Sequence, residues 1–338
     1  MSLLISDGGV LMRVDRVTVP FSTQKKTVVE ISHSSLSVAA LCPIKFWLQY
    51  HENLGARRGS GGVNRKMQFG SILHDVLPRW SLSGDLEETY AYLEKRWDIP
   101  EAQTDKYYNQ ERARSIVATY AHAYQDDSTG KDRFQIAHLQ ADKPLIEVEA
   151  RLPLLIADDL EILYVGYLDR IVQDPDTGGL WIFDVKTTGM PIELEKSWAR
   201  SQRNSEQFVG YAWMAHQLYS ALTDLKIEGT IIDAIYTRNI NITARNMLRF
   251  KVPRDLNKEK AFKYRVERLV RDLIAPIMLD ESAPYGNAPV ACGTYGGCQF
   301  LDVCDGTVDN YRSQIAENLF ERREERNGEH QHGHTNGQ

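Results

Sequence analysis

Residues 166–189, GYLDRIVQDPDTGGLWIFDVKTTG, constrain the fold of this chain more than any other segment. Two apolar, β-prone runs flank the turn DPDTGG, which predicts an antiparallel hairpin. A turn centred between Asp176 and Thr177 sets Asp169 opposite Asp184. Opposed side chains stand about 5 Å apart, and like charges there repel. Two such carboxylates among Leu168, Ile171, Ile182 and Phe183 are eased by a shared cation, and oxygen ligands suit Mg²⁺ or Mn²⁺. Strand alternation puts Lys186 on the Asp184 face and turns Val185 away. A lysine so placed can stabilise a developing oxyanion or orient a water. On these residues alone, a plain Lys186–Asp184 ion pair is an equal reading, and a slipped register would remove Asp169 from the shared face.

The rest of the chain supplies a mixed α/β frame. A strand is predicted over 28–33, with Ser34 or Ser35 capping a helix through LSVAALC. Residues 54–68 are Gly-rich and basic and read as a mobile loop carrying Arg57, Arg58, Arg65 and Lys66. Helical spacing runs from Phe69 to Trp80 and from Leu86 to Tyr124. Strands follow over 145–156, 161–173 and 180–187, then a helix over 193–222 and strands over 228–237 and 245–252. A long amphipathic helix covers 254–278, and a last helix runs over about 307–326 before a polar tail that reads as disordered. The expected boundaries are an N-terminal extension (1–27), one domain (28–305) and a C-terminal helix with its tail (306–338). Within the domain, 28–144 is mostly helical, 145–278 holds the catalytic sheet and 279–305 the cysteines.

The net charge of −6 does not advertise a polyanion binder, but screening beyond about 10 Å lets a local basic patch act on its own. No apolar run is long enough for a membrane span, and the first residues lack the pattern of a secretory signal. A cytoplasmic protein is expected, or one in a host cytoplasm if phage-encoded. The cysteines stand at 42, 292, 298 and 304. Clustered cysteines in such a compartment favour metal over disulfides, although gaps of five residues do not fit the usual zinc spacing.

Four motifs occur in a fixed order: Gly70-x-x-x-His74, Gly166-x-x-Asp169, Asp184-x-Lys186 and Gln207-x-x-x-Tyr211. Singly each is weak. His74 alone reads as well as a satisfied histidine, and Gln207 with Tyr211 as a polar patch on a buried helix. Together, over about residues 34–305, they resemble the PD-(D/E)XK nuclease superfamily in its RecB-like branch. The resemblance implies an α+β, restriction-endonuclease-like core: a central mixed sheet flanked by helices, with a helical N-terminal region and a cysteine-stapled C-terminal segment. It makes His74, Asp169, Asp184 and the Val185 carbonyl metal ligands and Lys186 the catalytic lysine. Gln207 and Tyr211 would support the site and contact nucleic acid, beside the basic loop of Arg57, Arg58, Arg65 and Lys66. Glu149, or Glu147, would add a further acid. Two departures are Asp at the second acidic position, where Glu is common, and no Pro before Asp169.

The cysteine pattern is similar to that of iron–sulfur RecB-like exonucleases, implying that Cys42, Cys292, Cys298 and Cys304 hold a [4Fe–4S] cluster, with structural zinc or buried thiols as alternatives. It also implies that the two ends of the chain meet. The expected activity is metal-dependent exonuclease cleavage of single-stranded or frayed DNA ends, in recombination, repair or phage replication, with a helicase or recombination protein as partner. A non-cleaving DNA-end scaffold and an RNA-directed nuclease are the competing readings.

Overall fold

Alternation decides the central strands. Along residues 181–186 the odd positions Trp181, Phe183 and Val185 are buried in one core, while Asp184 and Lys186 lie on the opposite face. The structure is a computed structural model describing residues 2–6, 9–13, 27–56, 65–100, 105–140, 143–157, 160–219, 226–239, 241–279, 289–293, 297–304 and 320–322. The chain divides into two compact units, one of residues 1–33 and 63–265 and the other of 34–62 and 266–338. Residues 34–62 thus group with the C-terminal part of the chain.

The first unit holds a mixed sheet. Its strands are β1 (Ser2–Ser6), β2 (Gly9–Arg13), β3 (Thr27–Ile31), β4 (Ile146–Ile156), β5 (Leu160–Gln173), β6 (Leu180–Thr188), β7 (Ile227–Tyr236) and β8 (Met247–Pro253). The order is β1-β2-β4-β5-β6-β7-β8, with β3 and a ninth, two-residue strand, Gln135–Ile136, alongside β5. β4, β5 and β6 run antiparallel, β7 returns parallel to β6, and β8 is antiparallel to β7. Residues 2–6 and 9–13 therefore extend the sheet, where an N-terminal extension was expected.

Helices α1 (Arg65–Ser83), α2 (Leu86–Arg96) and α3 (Gln110–Tyr124) cover one face. Phe69, Ile72, Leu73, Val76 and Trp80 repeat at helical spacing and pack with Phe183, Val185, Ile231 and Ile235. Each of these fully buried side chains contributes about 1.5–3 kcal/mol. The single pattern from Leu86 to Tyr124 is two helices. Asp85 starts the first, its carboxylate accepting the Glu87 and Glu88 amides at 2.8 and 3.1 Å. Asn109 starts the second by accepting the Arg112 amide at 2.8 Å. The other face carries α4 (Ser197–Arg203) and α5 (Glu206–Tyr219), split at Asn204-Ser205 within the expected 193–222 helix. These residue types compete for backbone hydrogen bonds and favour helix ends. Helix α6 (Leu256–Leu269) passes into a π-turn over 270–274 and a final turn containing Pro276.

In the second unit the helix His33–Leu41 leads to Cys42, and residues 54–56 pair antiparallel with 320–322. Two expectations are corrected here. Residues 54–56 are strand rather than loop, and 320–322 are strand rather than part of a 307–326 helix. Burial explains the second: Phe320 seals a small core with Phe300, Leu48, Leu54 and Val303, its ring 5.0 Å from that of Phe300. Arg57, Arg58 and the expected disordered tail lie outside the described residues. Among the described residues no helix is long and apolar enough to cross a membrane.

Candidate metal centre

The β5–β6 ladder runs from Gln173–Leu180 to Arg170–Phe183, the register that sets Asp169 level with Asp184. Beyond that pair the ladder ends, and the Val185 amide instead donates to Asp169 Oδ2 at 2.9 Å. A carboxylate thus takes the place of a strand carbonyl, which pins Asp169 beside the chain that bears Asp184 and Lys186. The other edge of β6 stays paired, Asp184 with Ile232 and Lys186 with Ala234.

Helix α1 brings in His74. At Gly70 the helix meets β6 so closely that a Cβ would lie 2.7 Å from Thr187 Oγ1. One turn later His74 Nδ1 is 3.0 Å from Asp169 Oδ2. Gly166 has the same role on the opposite face, where a Cβ would run into the side chains of Met214 and Tyr211 on α5. Gln207 Nε2 donates to the Tyr211 hydroxyl at 3.0 Å. Lys186 Nζ stands 2.7 Å from Asp184 Oδ2 and 5.6 Å from the centre of the Phe208 ring.

These groups shape one another's charge. Burial, joined by the Asp169 carboxylate, pushes the Asp184 carboxyl up to about 6 against the pull of Lys186 and His74. Burial works on Asp169 too, but His74, Lys186 and the Val185 amide outweigh it and hold that carboxyl down at about 2. Burial disfavours the charged forms of His74 and Lys186, yet Asp169 raises the first, and Asp184 with Asp169 raises the second. Burial raises the Tyr211 phenol, opposed by its Gln207 hydrogen bond and reinforced by Asp184.

Asp184 could take a cation: it is only 2% exposed, and its Oδ2 lacks a well-aligned hydrogen-bond donor despite the Lys186 contact. The present pairings hold the two carboxylates on His74 and Lys186. Among the described residues no three His, Cys, Asp or Glu side chains are gathered closely enough to hold an ion.

The acids on β4 fall differently from the expectation. Pairing of Ile146 with Arg170 and Val148 with Leu168 puts Glu147, at φ 50°, in the Asp169 row. Glu149 lies opposite Tyr167, and its Oε1 accepts from Arg151 at 2.6 and 2.9 Å. Of the basic loop, Arg65 opens α1 and lies 3.5 Å from Asp105, and Lys66 is exposed beside it.

Two features were not anticipated. His33 lies in the field of Lys186 and Glu206, and burial lowers its pKa. Behind Asp169, Arg170 donates to Ser81 Oγ and the Tyr120 hydroxyl at 2.9 and 3.0 Å. Arg249 grips both oxygens of Asp132 at 2.8 and 3.0 Å and reaches Asp233 at 3.1 Å. The basic residue following Asp169 was the one visible sign of this network, since its partners come from distant parts of the chain.

All four cysteines belong to the second unit, none of them in a disulfide among the described residues, Cys42 buried and the others partly so. The Cys298 amide donates to the Cys292 carbonyl at 2.8 Å, and Cys298 and Cys304 pack on the Phe300 core.

A profile of the PD-(D/E)XK nuclease superfamily matches residues 30–305. No curated protein matches the chain. A solved structure described as "Crystal structure of SSO0001" is similar at 14% identity and a TM-score of 0.27, covering 67% of this chain and 90% of that one.

Proposed function

Because this chain belongs to the PD-(D/E)XK nuclease superfamily, we propose that it hydrolyses phosphodiester bonds of DNA at Asp169, Asp184 and Lys186. The observation that carries this reading is the Asp184 carboxylate, buried on one sheet face with Lys186 at 2.7 Å and tied through Val185 to Asp169. Asp169, Asp184, His74 and the Val185 carbonyl would hold Mg²⁺ or Mn²⁺. A bound ion of this kind acidifies water and polarises a phosphoryl oxygen. Lys186, charged and largely shielded from solvent, orients the attacking water and offsets negative charge developing on the phosphate. Asp184 holds that ammonium in place. Gln207 fixes the Tyr211 hydroxyl beside them, where it positions a neighbouring phosphate.

The finer reading is an exonuclease for single-stranded or frayed ends, with a [4Fe–4S] cluster on Cys42, Cys292, Cys298 and Cys304 that staples the second unit. Its support is the spacing of those cysteines and their presence in one compact unit. Soft thiolates in that number suit iron–sulfur chemistry.

The test is cleavage of end-labelled single- and double-stranded DNA with Mg²⁺ or Mn²⁺, against EDTA and the Lys186→Ala variant. Mononucleotides or short oligomers released from ends, and absent in both controls, are expected. If Lys186→Ala cut as fast as the parent, the assignment of the centre would fail.

A further inference from the structure

A second concentration of charge lies on the face of the sheet that carries Asp184. A cleft of about 430 Å³ is lined by Arg200, Arg203, Asn204, Lys251, Asp255 and Lys258, among others. Three elements contribute: the last turn of α4, the end of β8 and the start of α6. A cation in the last turn of a helix is ordinarily explained by the helix dipole. That accounts for Arg200 and Arg203 but not for Lys258, which joins them from α6.

Compensation within the cleft is slight. Among the described residues Asp255 is the one carboxylate lining it, and Asp255 Oδ1 is occupied by the Asn257 and Lys258 amides at 2.9 and 3.2 Å. Lys251 is neutralised by Asp174 at 2.5 Å. Among the described residues Lys258 meets the neutral Asn204 Oδ1, at 3.3 Å, and no carboxylate. Arg203 lies 5.4 Å from the centre of the Phe250 ring, and among the described residues neither Arg200 nor Arg203 has a carboxylate partner. Three exposed cations are therefore left for a ligand.

The strand register fixes where this cleft stands. Asp184 pairs with Ile232, and Ile232 pairs with Phe250, so the three share one row and one face. Neighbouring strands are about 4.8 Å apart, which puts Phe250 and the Arg203 above it roughly 10 Å across the sheet from Asp184. A nucleic-acid strand carries a phosphate for about every 3.4 Å of axis, so a strand held at Asp184 has further phosphates within that reach.

We infer that the Arg200–Arg203–Lys258 cleft binds the sugar–phosphate backbone of a nucleic-acid strand flanking the bond to be cut. It acts through charge and without reading sequence. The choice of ligand rests on the nuclease reading; the cleft itself rests on its own geometry.

The experiment measures binding of a fluorescein-labelled single-stranded DNA of about 20 nucleotides in EDTA across a salt series. It compares the full chain with Arg200→Glu/Arg203→Glu and with Lys95→Glu/Lys131→Glu. The second pair alters net charge equally at exposed sites outside the cleft. The cleft reversal is expected to weaken binding at least about tenfold relative to that control. Two lost phosphate contacts should also lower the slope of log affinity against log salt by about 1.4. Equal affinity and slope in the two reversals would overturn the cleft assignment and leave the nuclease reading intact. The expected loss in a chain that cuts no DNA with Mg²⁺ or Mn²⁺ would support the cleft and remove the nuclease reading.

Discussion

The Val185 amide donates to the Asp169 carboxylate at 2.9 Å, at the point where the β5–β6 ladder stops. This bond couples the backbone of the lysine-bearing strand to the acid on the neighbouring strand. Removing the acceptor should therefore disturb geometry as well as charge. Asp169→Asn keeps an acceptor oxygen for Val185 and loses the charge, whereas Asp169→Ala loses both. Both variants should lose metal-dependent cleavage by at least about 100-fold. Only Asp169→Ala should also lower the unfolding midpoint markedly, because it leaves the Val185 amide without its acceptor, at about 1–3 kcal/mol. Equal midpoints would show that the bond has no structural weight.

Metal-free stability should fall between about pH 5 and pH 7.5. Asp184 holds its proton more tightly in the folded chain, up to about 6, than in the unfolded one. Its contribution is full below the ordinary carboxylate range and is lost as pH rises through about 6, a loss on the order of 1 kcal/mol. His74, also raised, acts in the same direction. Asp169 is held down at about 2 and weakens the fold only in stronger acid. Thermal unfolding in EDTA at the two pH values checks this. Mg²⁺ should raise the midpoint more at the higher pH, and a larger gain at the lower would contradict the shift at Asp184.

Gly70→Ala should destabilise the chain by about 1–3 kcal/mol, since its Cβ would lie 2.7 Å from Thr187 Oγ1. Thr187→Ala removes the obstructing atom. The double variant should recover the parent's stability or exceed it, because Ala is the better helix former by about 1 kcal/mol. Denaturant unfolding of the two singles and the double reads this coupling directly, and simple additivity would rule out the close approach as the reason for glycine there.

Arg249→Met should cost about 3–5 kcal/mol, because Asp132 and Asp233, 1% and 0% exposed, would lose their shared cation. A loss below about 1 kcal/mol in urea unfolding would mean that water reaches this network.

The hairpin was legible because turn length and alternation both act locally. A turn centred between Asp176 and Thr177 fixes the pairing of Arg170 with Phe183, and period two puts Asp184 and Lys186 together. The helix end at Trp97, ahead of Pro100, and the break at Asn204-Ser205 were missed because apolar spacing was weighed above the local stop signals, a proline in the first case and cap residues in the second. The row of Glu147 was not legible, because the row of a β4 residue depends on where its pairing with β5 begins, whereas Glu149 was preferred from the resemblance. The cationic cleft was hidden for a similar reason: Arg203 meets Phe250 only through the order of the sheet strands.

Purified without chelators and air-protected, the chain should carry iron and acid-labile sulfide at about four each per chain, as a [4Fe–4S] centre requires. Substituting Cys298 by Ser should lower both, while zinc in stoichiometric amount in the parent would displace the cluster from the proposal.

The division of the chain into 34–62 with 266–338 also bears on its synthesis. Residues 34–62 leave the ribosome before their partners, and roughly 200 residues must follow before residue 266 is made. At about 5–20 residues per second this is a wait of roughly 10–40 s. During it the apolar side chains of Leu48 and Leu54 have no Phe300 or Phe320 to cover them. The second unit can therefore be completed only after Phe320 has been made, and a nascent chain stalled beforehand carries a sticky segment that chaperones would have to shield.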